Sequence, residues 1–154
     1  MSQKTAILFL CTGNSCRSQM AEGFAKALRP DDLEAWSAGV KPKGVDPKAV
    51  KVMAEAGFDI SAQSSSHVRE HMGRDLDYVI TLCGNARETC PVFPGKARVI
   101  HRGFDDPPSL AVGAANEDEA LDHYRRVRDE IREFVLGLPA NIEDEAGVKF
   151  KLDL

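Results

Sequence analysis

The chain predicts an α/β fold: a three-layer α/β/α single domain around a central parallel sheet of about four strands. Three observations carry that expectation. Short apolar runs of strand length alternate with segments of helical period along the chain. The runs are nearly continuous rather than alternating, as in strands covered on both faces. The 154 residues suit one compact domain with a single sizeable core.

The elements follow in order. Ala6-Ile7-Leu8-Phe9-Leu10 reads as the first buried strand. Residues 16–29 read as a helix with Met20, Phe24, Ala27 and Leu28 on one face, stopped by Pro30. Residues 33–37 form a second strand, followed by a loop holding Gly39, Pro42 and Gly44. Asp46-Pro47 supplies an N-cap and a proline at the first helical position, and Gly57 sits where a C-terminal cap belongs. The helix between them is expected to bury Val50, Met53 and Ala54. Ser64-Ser65-Ser66 is expected to cap a short helix ending near Gly73. Residues 78–82 make a third strand running into Cys83. Residues 98–101 make a fourth, running into Gly103-Phe104-Asp105-Asp106-Pro107-Pro108. Asn116 with Glu119 three residues on has the form of a capping box. The helix it opens buries Leu121, Tyr124, Val127, Ile131, Phe134 and Val135, and Gly137 closes it. Residues 138–154 carry no strong pattern and are expected as a loosely docked tail of the single domain 1–154.

Composition narrows the function. The net charge of −4 speaks against nucleic acid or an anionic membrane surface. No stretch reaches the roughly 20 apolar residues of a membrane-spanning helix, and the first apolar run is too short for a signal peptide. A cytoplasmic monomer is expected. Its four cysteines would then be thiols at rest, pointing to catalysis, redox chemistry or metal.

The chemistry gathers behind the strands. Cys11-Thr12-Gly13-Asn14-Ser15-Cys16-Arg17-Ser18 directly follows the first strand. Its small residues let successive backbone N–H groups turn inward as an anion nest, with a helix N-terminus aimed at the same point. Arg17 adds a planar fork for two oxyanion oxygens. That field is expected to make Cys11 a thiolate able to attack a bound phosphate or arsenate. Ser18 is expected to hydrogen-bond Cys11 or the loop, and Cys16 to be a small buried residue at the helix start. Asp106, fixed by Pro107, is a candidate proton donor to a leaving oxygen, with Asp105 the weaker candidate. Cys83 and Cys90 lack the spacing of a zinc knuckle. The polar segment between them either refolds to join the two sulfurs or leaves them unconnected. His67, His71, His101 and His123 are expected at the surface. In an open α/β sheet the carboxyl ends of the strands share one crevice, so Cys11, Cys83 and Asp106 can meet there.

These residues carry a family resemblance. Cys11 through Gly23, Ser37-Ala38-Gly39, Thr81-Leu82-Cys83, Cys90-Pro91 and Gly103-Phe104-Asp105-Asp106-Pro107 resemble the thioredoxin-coupled arsenate reductases, which share the low-molecular-weight tyrosine phosphatase fold. The resemblance covers about residues 4–136. It implies that Cys11 attacks arsenate held by residues 12–18, with Asp106 as proton donor. Cys83 then displaces arsenite from Cys11, Cys90 takes over the disulfide from Cys83, and thioredoxin reduces it. Phosphate and sulfate would compete as oxyanions. Some members hold a potassium ion beside the loop. Asn14, Glu22 and Ser37 match that site, while Ser66 stands where those members carry an acid. No tightly bound cofactor is otherwise implied. Two alternatives stay open: a low-molecular-weight tyrosine phosphatase, and a non-enzymatic oxyanion or redox sensor. So does glutaredoxin with glutathione as the reductant.

Overall fold

In the computed structural model, which describes residues 4–143, four parallel strands form one sheet. They are β1 (Thr5–Cys11), β2 (Leu33–Gly39), β3 (Tyr78–Thr81) and β4 (Arg98–His101), in the order β2-β1-β3-β4. The helices are α1 (Arg17–Leu28), α2 (Pro47–Glu55), α3 (Gly84–Thr89), α4 (Pro107–Ala111) and α5 (Glu117–Leu136), with a 3₁₀ turn at Val68–His71. Register sets Cys11 level with Gly39 and Leu10 level with Thr81, so β1, β2 and β3 end together. From β1 the chain goes out to β2 on one side and returns to β3 on the other. The loop after β1 therefore opens at the switch point, where an open α/β sheet forms its crevice.

Alternation along β1 divides the core in two. Ile7 and Phe9 face Met20, Phe24, Met53, Val127 and Ile131 from α1, α2 and α5. Leu8 and Leu10 face Val68, Leu76, Ala86 and Phe93 on the opposite side. The central strands β1 and β3 are thus covered on both faces, which is why they read as continuous apolar runs, while the edge strand β4 is partly exposed. Phe24 and Phe58 meet edge to face at 5.0 Å. At the end of the chain, Leu138 and Ile142 are buried in the first core. The start of the expected tail is therefore docked, and residues 144–154 lie outside the described ones.

Several local expectations are corrected. Helix α2 buries Ala49, Val52 and Met53, whereas Val50 is half-buried and Ala54 exposed. Asp46 does cap it, accepting from Lys48 N–H at 2.9 Å, but packing against α5 chooses the stripe. In α1, Ala27 is exposed. Ser64-Ser65-Ser66 caps nothing. His67 is the cap, accepting from Arg69 N–H while Glu70 reaches back to His67 N–H. His71 is buried rather than on the surface. Arg74 donates to its Nδ1 at 3.0 Å, which leaves the Nε2 proton for Ser66 Oγ at 2.8 Å. Burial, seconded by the Arg74 charge, pushes its pKa down and keeps it neutral. Helices α3 and α4 were not expected, because six and five residues without an apolar period give no helical signal.

Candidate active site

Residues 12–16 carry the chain from β1 into α1. Asn14 holds φ at +46°, a left-handed conformation that asparagine tolerates better than most residues. Its strain, of order 1–2 kcal/mol, is offset by a dense set of partners. Nδ2 donates to Ser18 Oγ at 2.8 Å and to Ser37 Oγ at 2.9 Å, and Oδ1 accepts from Ser66 N–H at 2.9 Å. Its carbonyl accepts from Gln19 Nε2 and Ser65 Oγ. The serines expected to cap a helix instead brace this loop. Gly39 lies against it so closely that a Cβ would stand 2.7 Å from the Thr12 carbonyl oxygen and 2.8 Å from Asn14 N.

Arg17 is buried at the first position of α1. Its Nη1 donates to the Phe104 carbonyl at 2.8 Å, and Nη2 pairs with Asp106 Oδ1 at 3.3 Å. Its Nε–H is shut from solvent and has no partner among the described residues. Asp106 precedes α4 and accepts from Ser109 through its other oxygen at 2.6 Å. Asp105 turns away to pair with Arg126 at the surface. Cys11, Thr12, Gly13, Ser15, Cys16, Arg17 and Asp106 line one cleft of about 410 Å³, closed by Pro108, Lys41 and Lys43. Sequence reading missed the two lysines. Their signal was the Lys41-Pro42-Lys43 run directly behind the carboxyl end of β2.

Cys83 caps α3 beside this cleft. Its Sγ lies 3.2 Å from Thr12 Oγ1, which accepts from Asn85 Nδ2 at 3.1 Å, and 3.4 Å from the Ala86 N–H. The Cys11 thiol, strongest among the influences on that sulfur, brings the Cys83 pKa down to about 4 against its burial; Thr12, Ala86 and Arg17 assist. Cys83 in turn, with burial, pushes the Cys11 thiol well above its ordinary value despite Arg17. The field expected to make Cys11 a thiolate is thus outweighed at rest, where Cys83 is the sulfur favoured in its charged form. Cys16 is buried at the helix start, its thiol raised chiefly by burial. Cys90 ends α3, half-buried, its thiol likewise raised by burial. The helix holds Cys83 and Cys90 about 10 Å apart along its axis, beyond the roughly 7 Å between Cα atoms that a disulfide allows.

Asn14, Glu22 and Ser37 also come together. The buried Glu22 carboxylate accepts from Ser37 Oγ and pairs with Lys26. Ser66 Oγ donates to the Ser37 carbonyl at 2.9 Å. No group of three or more His, Cys, Asp or Glu among the described residues is placed to hold a metal ion. No helix among them is long and apolar enough to cross a membrane.

A tightly braced loop behind a central strand, with a buried arginine and a cysteine at its start, has the form of a phosphatase-type oxyanion loop. Residues 6–148 match the family described as low molecular weight phosphotyrosine protein phosphatase, and the chain belongs to it. Within that family it is 50% identical over 133 residues to a Bacillus licheniformis protein named arsenate reductase, covering 86% of this chain and 93% of that one. Two solved structures match at 34% identity over 90% of this chain and 98% of theirs. One is an arsenate reductase in the phosphate binding state, with a TM-score of 0.70; the other is an arsenate reductase in the oxidized state, at 0.73.

Proposed function

We propose that this protein is an arsenate reductase working through Cys11, Cys83 and Cys90. One observation carries the reading: Cys83, its charged form favoured by Cys11, stands beside the oxyanion loop with its Sγ 3.2 Å from Thr12 Oγ1. A phosphatase needs no second cysteine there. No aromatic residue is among those lining the cleft to hold a phosphotyrosine ring. The similarity to proteins named arsenate reductase points the same way.

The loop amides and Arg17 take the arsenate, whose oxygens supply the acceptor that Arg17 Nε–H lacks. Cys11 hands its proton to Cys83 as it attacks the bound arsenate. Its Sγ bonds to arsenic, and a hydroxyl departs as water with a proton that the Asp106 carboxylate relays from a neighbouring arsenate hydroxyl. Cys83 gives its proton to an arsenic-bound oxygen and attacks Cys11 Sγ. The S–As bond breaks, its electron pair stays on arsenic, and arsenite leaves behind a Cys11–Cys83 disulfide. Cys90 attacks Cys83, restoring Cys11 and forming Cys83–Cys90. Because α3 holds those sulfurs apart, the helix must unwind at this step. Thioredoxin, a dithiol reductant, then returns both to thiols.

Potassium has no part in this reading, because the matching residues do not fit it as a resident ion. Glu22, the only carboxylate of the set, is already neutralised by Lys26. Asn14 turns its NH₂ toward Ser37, and Ser66 offers a hydroxyl instead of a charge.

The test is arsenate-dependent NADPH oxidation with thioredoxin and thioredoxin reductase, set against glutathione with glutaredoxin. Turnover in the thioredoxin arm, equal in sodium and potassium buffers, is expected. Turnover in neither arm refutes the activity, turnover only with glutaredoxin reassigns the reductant, and loss of rate in sodium restores the ion.

A further inference from the structure

Two lysines that no step above uses stand at the cleft mouth. Lys41 and Lys43 line it with Cys11, Thr12, Gly13, Arg17 and Asp106, and both are exposed. Their backbone is stapled to the oxyanion loop. Lys41 N–H donates to the Thr12 carbonyl at 2.8 Å, and Lys43 N–H to the Gly13 carbonyl at 3.0 Å. Gly44 N–H donates to Ser65 Oγ at 2.9 Å, and that same hydroxyl donates to the Asn14 carbonyl. The Lys43 stem crosses Gly13 so closely that a Cβ there would stand 2.9 Å from Lys43 Cε. The strap and the loop therefore hold one geometry, which fixes where the two side chains start.

The nearby charges are otherwise committed. Arg17 pairs with Asp106, and both Asp46 oxygens accept, from Lys48 N–H and from Tyr124 Oη. Neither Lys41 nor Lys43 forms an ion pair with a described residue. The protein as a whole carries −4, so at long range it repels an anion. Salt screens charges beyond roughly 8–10 Å, so capture depends on cations at the mouth itself. We propose that Lys41 and Lys43 form a cationic rim that draws the oxyanion into the loop and sets how tightly a doubly charged one is held. The proposal rests on the oxyanion reading of the loop but not on arsenate reduction.

The test uses inorganic phosphate as the probe, titrated calorimetrically into the full chain. The K41Q/K43Q variant is compared with wild type and with K4Q/K96Q. The latter makes the same change in net charge at the amino ends of the strands, beside a different cleft. Charge focusing in a cleft is worth a factor of 10 or more. The rim predicts about tenfold weaker phosphate binding for K41Q/K43Q at low salt, with K4Q/K96Q matching wild type. The gap should close toward 1 M salt, where the screening length is about 3 Å. Equal affinity of K41Q/K43Q and wild type at low salt overturns the rim. So does an equal loss in K4Q/K96Q, which would mean net charge alone, or a loss unchanged by salt, which would mean distorted packing. Wild type that binds phosphate but does not reduce arsenate sinks the proposed activity and leaves the rim to these variants. Wild type that binds no phosphate overturns the rim.

Discussion

Cys11 and Cys83 shift each other in opposite directions, so that one proton between them rests on Cys11. The Cys83 pKa lies at about 4, below the ordinary 9.0, so its ionised form is favoured by folding. The sign follows from linkage: the stability it adds is fully present above about pH 9 and is lost as pH falls through about 4. Thiolate absorbance in the far ultraviolet should therefore rise with a midpoint near pH 4 in the wild type. The step should vanish in Cys83→Ser. A first midpoint at an ordinary thiol value would contradict the shared proton. Gly39 makes a second test at this scale. Its missing Cβ leaves room for the Thr12 carbonyl and Asn14 N–H, so Gly39→Ala must displace backbone. We expect a loss of about 1–3 kcal/mol in urea unfolding together with loss of phosphate binding. A variant as stable as wild type that still binds phosphate would show that the loop has slack.

Helix α3 is the element that the proposed relay would have to change. Its six residues separate the two sulfurs that this relay joins. After reaction with arsenate in the absence of reductant, hydrogen exchange should show that the α3 amides have lost the protection they have in the reduced protein. Unchanged protection with a Cys83–Cys90 disulfide present would mean that the helix accommodates the bond. Helix α3 also marks where the sequence stopped being legible. Helix α5 could be read because it is long, periodic and capped by Asn116, which accepts from Glu119 N–H at 2.9 Å. Helix α2 announced its cap and its proline, but nine residues leave two plausible apolar stripes, and contact with α5 chooses between them. Helices α3 and α4 are short and carry no period. The loop was legible as a nucleophile and an arginine around small residues. Its braces, Ser65 and Ser66, were not, because they arrive from more than 40 residues away.

For the molecule as a whole, topology supplies what no segment holds alone. Strands ending level on either side of the switch point bring Cys11 from β1 into the cleft and Cys83 from just beyond β3 beside it, and the segment after β4 adds Asp106. Order along the chain explains why β1 and α1 carry the anion site while the second sulfur waits on a different strand. Burial on both faces of the central strands gives a fixed frame against which the proposed unwinding of α3 would occur. The most direct measurement is disulfide mapping after one turnover with excess arsenate and no reductant. The relay predicts one arsenite released per chain, a Cys83–Cys90 disulfide, and Cys11 recovered as a free thiol. Arsenate left unreduced, or arsenite formed with Cys83 and Cys90 both free, would contradict it.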